Sequence, residues 1–152
     1  MIRYTLTTIL FSSLLISCGS DDKKDEPVAN EFVGRWKTPC FIDDSEPDNI
    51  KYTITKMQVT EKTIKSQYTL YPTSTCENKI ISFPIVLTYT LGEKSNTISG
   101  DEVRNIDITI QRGDVVLDIF KIEQSYLYFG EFRDDGLRSD TIDFTSWYEK
   151  QY

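Results

Sequence analysis

The stretch Ile81-Ser82-Phe83-Pro84-Ile85-Val86-Leu87-Thr88-Tyr89-Thr90-Leu91 (ISFPIVLTYTL) alternates two kinds of side chain without a break. Successive residues of a strand point to opposite faces, so Ile81, Phe83, Ile85, Leu87, Tyr89 and Leu91 form one strongly apolar face. Pro84 lacks a backbone donor, which points to an edge, a bulge or an unpaired position in the middle of this strand.

The chain on either side reads the same way. Phe32 and Trp36 share a face in a first strand over 31–38, with Gly34 between them leaving room for close backbone approach. The acidic stretch 43–49, which carries Pro47, is a turn. Ile50, Tyr52 and Ile54 alternate with polar neighbours, but Met57 and Val59 continue in the opposite phase, which predicts a bulge or bend between them. Glu61-Lys62 makes a hairpin tip, and Ile64, Tyr68 and Leu70 share the next face before Pro72 and the loop around Cys76 interrupt it.

Beyond Leu91, a turn at 92–96, a short strand at Thr97-Ile98 and a turn at Gly100-Asp101 are expected. Ile106, Ile108 and Ile110 then alternate with polar residues, Arg112-Gly113-Asp114 turns, 115–122 returns, Glu123-Gln124-Ser125 turns, and 126–132 returns again. The count comes to about eight short strands joined by short loops, and parallel crossovers would need long helical connections that this pattern lacks. The expected body is all-β, an antiparallel up-and-down barrel spanning 31–152, because closure removes the exposed edges of such a meander.

The N-terminus has a different character. Met1-Ile2-Arg3 is followed by a mostly apolar run over 6–16 and then by Leu15-Ile16-Ser17-Cys18. That run is shorter than the about 20 residues a membrane-spanning helix needs, and the order of charge, apolar core and small residue is that of a cleaved leader. Leu15-Ile16-Ser17-Cys18 resembles the lipobox of bacterial lipoproteins, whose cysteine takes a diacylglyceryl group. The resemblance implies a signal peptide over 1–17, lipid on Cys18, and attachment to a membrane through that lipid. Gly19 is not the aspartate associated with inner-membrane retention, which implies the bacterial outer membrane. Residues 18–30, with charges of both signs and little to bury, are expected to be a disordered linker.

Assigning Cys18 to lipid leaves Cys40 and Cys76 as a pair in an oxidising compartment, where a disulfide is the default. Free thiols or a redox site are the alternative, against which stands the lack of a C-x-x-C spacing. The chain contains no histidine, which removes the commonest general base and every His-containing zinc site. Its formal charge is -7, and loss of Arg3 with the leader makes it -8, so nucleic acid is not an expected partner. The acidic turns at Asp43, Asp44, Glu46 and Asp48, and at Asp134, Asp135 and Asp140, do not match EF-hand spacing and are read as solvated. No cofactor, metal or catalytic residue is assigned, and the chain is not expected to be an enzyme.

Gly34-x-Trp36 on the first strand resembles the G-x-W signature of lipocalins and their bacterial lipocalin-like relatives. In that fold the tryptophan closes one end of the barrel and an arginine from near the chain's end packs on it, which implies Gly34, Trp36 and Arg138 as barrel-closing residues, with Arg133 as the other candidate. Gly34-Arg35-Trp36-Lys37-Thr38-Pro39-Cys40, Leu127-Tyr128-Phe129-Gly130 and the tail from Arg138 are similar to a group of bacterial lipoproteins to which no activity is assigned. Those proteins carry Arg-Pro-Thr where this chain has Arg138-Ser139-Asp140-Thr141. The lipocalin resemblance implies a small apolar ligand inside the barrel, with Trp36, Tyr68, Phe83 and Tyr89 as candidate lining residues. Another envelope protein is the other expected occupant of such a barrel, and the alternative is a structural or inhibitory interaction module with a filled core.

Overall fold

The computed structural model describes residues 31–47 and 49–152. The leader over 1–17, Cys18 and the linker over 18–30 lie outside the described residues, as does Asp48. Among the described residues nine strands follow one another: β1 Gly34–Lys37, β2 Phe41–Ile42, β3 Tyr52–Val59, β4 Thr63–Tyr71, β5 Ile81–Asn96, β6 Glu102–Thr109, β7 Val115–Glu123, β8 Tyr126–Phe129 and β9 Tyr148–Gln151. From β3 to β9 each pairs antiparallel with the next, and β1 pairs with both β9 and β3. The result is a closed eight-stranded antiparallel barrel, with β2 as an extra strand beside β3.

Closure depends on a short strand that breaks off and resumes. β1 lies against Lys56 to Val59 of β3, and β2 lies against Tyr52 and Thr53 of the same strand. At the break, the Thr38 amide donates to the Thr55 carbonyl at 2.9 Å and the Thr38 hydroxyl accepts from the Thr55 amide at 2.9 Å. A side chain thus satisfies the backbone donor next to Pro39, where the regular ladder stops. The disulfide between Cys40 and Cys76, with Cα atoms 5.9 Å apart, ties this break to the β4–β5 connection.

Two details of the strands differ from the sequence expectations. The change of phase before Met57 is not a bulge, because β3 pairs with β4 residue for residue from Tyr52 to Val59. Thr53, Thr55, Met57 and Val59 share the inner face, and Ile54 lies on the outer one. The turn expected at 92–96 is instead an irregularity between Leu91 and Lys94 within a continuous β5. Gly92 permits it, since a Cβ there would stand 2.9 Å from the Asn105 Cβ. The chain reverses further on, where the Thr97 amide bonds Asp101 O and the Gly100 amide bonds Thr97 O.

One part of the interior is filled. Phe32, Trp36, Met57, Val59, Ile64, Tyr89, Ile106, Phe120 and Leu127 form a buried cluster, with Leu87, Leu91, Phe129 and Tyr148 packed against it. Phe32 precedes β1 and enters the barrel mouth, its ring 4.9 Å from Phe120 and 5.1 Å from Tyr89. The Trp36 indole N–H donates to Phe32 O at 2.9 Å, so the plug and the closing strand hold each other. A smaller cluster of Val103, Ile119 and Ile142, with Tyr128, shows that the segment between β8 and β9 packs on the outer face of the barrel.

Candidate functional site at the open end of the barrel

The mouth remote from Phe32 is open because two strands outrun their neighbours. β5 pairs with β4 from Ile81 to Thr88, but with β6 only from Thr88 onward, so among the described residues 81–87 has a strand on one side alone. β7 pairs with β6 from Val115 to Phe120, but with β8 only from Phe120 onward. Inner-face side chains on these overhangs have little across from them. Ile81 and Phe83 are each 44% exposed and Ile85 is 39% exposed, although all three face inward. Val116, on the inner face of β7, is exposed too, as are Val115 and Leu117 beside it.

The ladder also explains Pro84. The Tyr89 amide donates to Lys62 O, and the register with β4 continues without a shift to Ile81, so the hydrogen-bonded positions of β5 toward β4 are the odd-numbered ones. Pro84 sits opposite Gln67 in a non-hydrogen-bonded pair, with its nitrogen turned to the open side. Along that edge only Ser82 and Val86 retain amide donors. This interruption is a common protection for an exposed strand edge.

Polar groups form the rim. The Tyr68 hydroxyl donates to Asp43 Oδ2, and Asp43 Oδ1 accepts from the Ser45 amide at 3.0 Å and from the Ser45 hydroxyl. These bonds from Ser45 and Tyr68 hold the Asp43 carboxyl below its ordinary range. Burial, reinforced by the neighbouring Asp43 carboxylate, pushes the Tyr68 phenol well above the tyrosine range. Tyr68 is thus a neutral donor at any physiological pH. Phe41 and Trp147 meet edge to face at 5.2 Å, joining β2 to the segment that leads into β9.

The four candidate ligand-lining residues are divided between the two regions. Tyr68 and Phe83 are directly opposite each other on β4 and β5 at the open end. Trp36 and Tyr89 are buried in the filled core, and the Tyr89 hydroxyl is used in a 2.6 Å bond to Thr60 O. They cannot face a ligand at the open mouth.

The barrel-closing set also needs correcting in one member. Gly34 and Trp36 lie on the strand that closes the barrel, but the cation over the Trp36 ring is Lys150, at 5.3 Å from its centroid. Arg138 is occupied elsewhere, donating to Ile106 O at 2.9 Å, to Asp118 O and to the Asp107 carboxylate. Arg133 pairs with Asp135. The physical reason is register: β9 places Lys150 directly opposite Trp36, whereas both arginines belong to the segment on the outer wall.

Sequence reasoning passed over Asp118, on the inner phase of β7 with Val116, Phe120 and Ile122. Its Oδ1 accepts from the Ile119 amide at 2.7 Å and the Gly130 amide at 3.2 Å, at the point where β8 leaves β7. Burial pushes its carboxyl up to about 6 despite those bonds. A lone carboxylate in an apolar period was the signal. A separate recess of about 400 Å³ lies at the plugged end beside Phe32 and contains Arg104, whose Nε is buried with no hydrogen-bond partner among the described residues. Comparison with known families, with curated proteins and with solved structures finds no match to this chain.

Proposed function

We propose that this chain is a lipid-anchored protein of a bacterial outer membrane, attached through Cys18, which binds a small apolar ligand at the open end of its barrel and catalyses no reaction. The observation that carries the reading is the exposure of Ile81, Phe83 and Ile85 on an inward-facing wall. Apolar area left in water forgoes about 25 cal/mol per Å², so a ligand that covers these side chains regains that energy. Tyr68, opposite Phe83, supplies one polar group able to orient it. The lipobox-like Leu15-Ile16-Ser17-Cys18 supports the anchor.

A second reading, a protein-interaction module, is favoured by the edge of β5, where the amides of Ser82 and Val86 have no strand beside them among the described residues. The two separate on one experiment. Native mass spectrometry and displacement of a fluorescent fatty acid from the full chain should show one bound ligand, with binding weakened at least ten-fold by Phe83→Glu. An empty protein that displaces nothing refutes ligand binding and leaves the edge. Metabolic labelling with a palmitate analogue should mark the wild type and leave Cys18→Ser unmarked.

A further inference from the structure

The outer wall over β1, β3 and β4 carries a concentration of positive charge that the acidic composition hides. In register, Lys37 lies directly opposite Lys56, Arg35 opposite Gln58, Gln58 opposite Lys65, and Lys56 opposite Gln67. These six residues line a recess of about 510 Å³. Arg35, Lys56 and Lys65 are exposed and Lys37 is half-buried. None of the four cations forms an ion pair among the described residues, whereas Lys94, Lys121, Arg133 and Arg138 all do.

Like charges placed directly opposite on a sheet repel, so the Lys37–Lys56 pair works against the barrel. The chain has 24 acidic residues with which to neutralise such a pair, yet the acidic side chain beside this group in the register is Glu149, opposite Lys37. A repulsive cluster around a recess is what an anionic ligand would turn into an attraction. Phosphate groups suit it, since the glutamine amides can donate to oxygen between the cations. The wall also includes β1, which begins at Gly34, four residues in sequence after the end of the expected linker over 18–30. A membrane held through Cys18, as in the proposed function, would present an anionic surface within the linker's reach of this wall.

We propose that this wall docks on the phosphate-bearing headgroups of an anionic membrane. The idea borrows the membrane anchor of the proposed function as the reason for proximity, but the charge cluster stands without it. Each basic residue near an anionic bilayer strengthens docking by roughly five-fold, and the attraction fades with salt.

The test uses the full chain mixed with vesicles of phosphatidylglycerol or of phosphatidylcholine. A membrane-impermeant amine reagent is applied, and labelling is read residue by residue by mass spectrometry. Labelling of Lys37, Lys56 and Lys65 relative to Lys94, exposed on the β5–β6 side of the barrel, should fall several-fold with phosphatidylglycerol only, and recover in high salt. Lys56→Gln with Lys65→Gln, both at exposed positions, should weaken docking roughly 30-fold by the same per-residue factor, read as lost protection of Lys37. The same ratio in both lipids overturns the proposal. Flotation with the phosphatidylcholine vesicles reports the lipid anchor separately, so a missing anchor and a missing docking surface give different results.

Discussion

Tyr89 and Phe83 sit on one strand, in one phase, both aromatic and both aimed into the barrel, yet Tyr89 is 5% exposed and Phe83 is 44% exposed. Around Tyr89 the wall is complete: the β3–β4 hairpin tip lies on one side, where the Tyr89 amide bonds Lys62 O, β6 lies on the other, and the Phe32 ring meets it edge-on. Around Phe83, among the described residues, there is β4 alone. Alternation decides which way a side chain points, but burial requires something opposite, and that is set by how far the neighbouring strands run. The protein therefore has a packed half that holds the fold and an open half free to be covered by something else.

The largest test of that division is a matched pair of truncations. Trp36→Ala, which empties a fully buried site, should cost about 3–5 kcal/mol. Phe83→Ala, at a half-exposed site, should cost about 1 kcal/mol or less. Urea unfolding of both variants measures the difference. If Phe83→Ala proves as costly as Trp36→Ala, the open half is packed in solution and the comparison fails.

The disulfide is the next largest effect, and it sharpens the comparison by location. Cys40 and Cys76 close a loop with a sequence separation of 36. In the chain-entropy account such a crosslink is worth about 4 kcal/mol. Reduction, or Cys40→Ser with Cys76→Ser, should lower the urea midpoint accordingly. Native-state hydrogen exchange should then accelerate in β2 and in 71–80 before it does in β6 or β8, because the packed half has its own core. Uniform acceleration would mean that the two halves open as one unit.

Much of this architecture was legible in the sequence, and the gaps have physical causes. The unbroken alternation of 81–91 gave the strand direction, and Pro84 marked the exposed edge where it was found. The hairpin tips at Glu61-Lys62, at 112–114 and at 123–125 follow from turn chemistry, and the last two carry Gly113 and Gln124 at positive φ. The Cys40–Cys76 pair followed from the count of cysteines. What could not be read was anything set by a partner strand. β9, Tyr148–Gln151, is short and polar, and it is a strand because β1 and β8 flank it. The cation over Trp36 depends on that pairing, so Lys150 could not be named before β9 was placed. The threonines on the inner face of β3 misled for a related reason: a threonine can be buried in a wall, as Thr53 is opposite Leu70, so a polar residue does not mark the outer face.

The smallest effect concerns Asp118, at the seam where β7 parts from β8. Burial raises its carboxyl from 3.8 to about 6, against the opposing pull of the Ile119 and Gly130 amides and of Arg138. A raised carboxyl pKa means that the folded state holds its proton while the unfolded chain has lost it. As pH rises from the unfolded value toward about 6, this group therefore takes stability away, and the loss is complete above that value. Asp43 and Asp135, whose carboxyls are lowered, act in the opposite sense at more acidic pH, so the wild-type curve alone mixes the two. Asp118→Asn removes only the first. Its carbonyl can still accept from the Gly130 amide, while its NH2 group stands in for a protonated oxygen. Denaturation of wild type and Asp118→Asn across this range should show the wild type losing ground to the variant as pH climbs between 3.8 and about 6. Parallel curves would mean that water reaches the carboxylate, which would place the seam with the open half instead of the packed one.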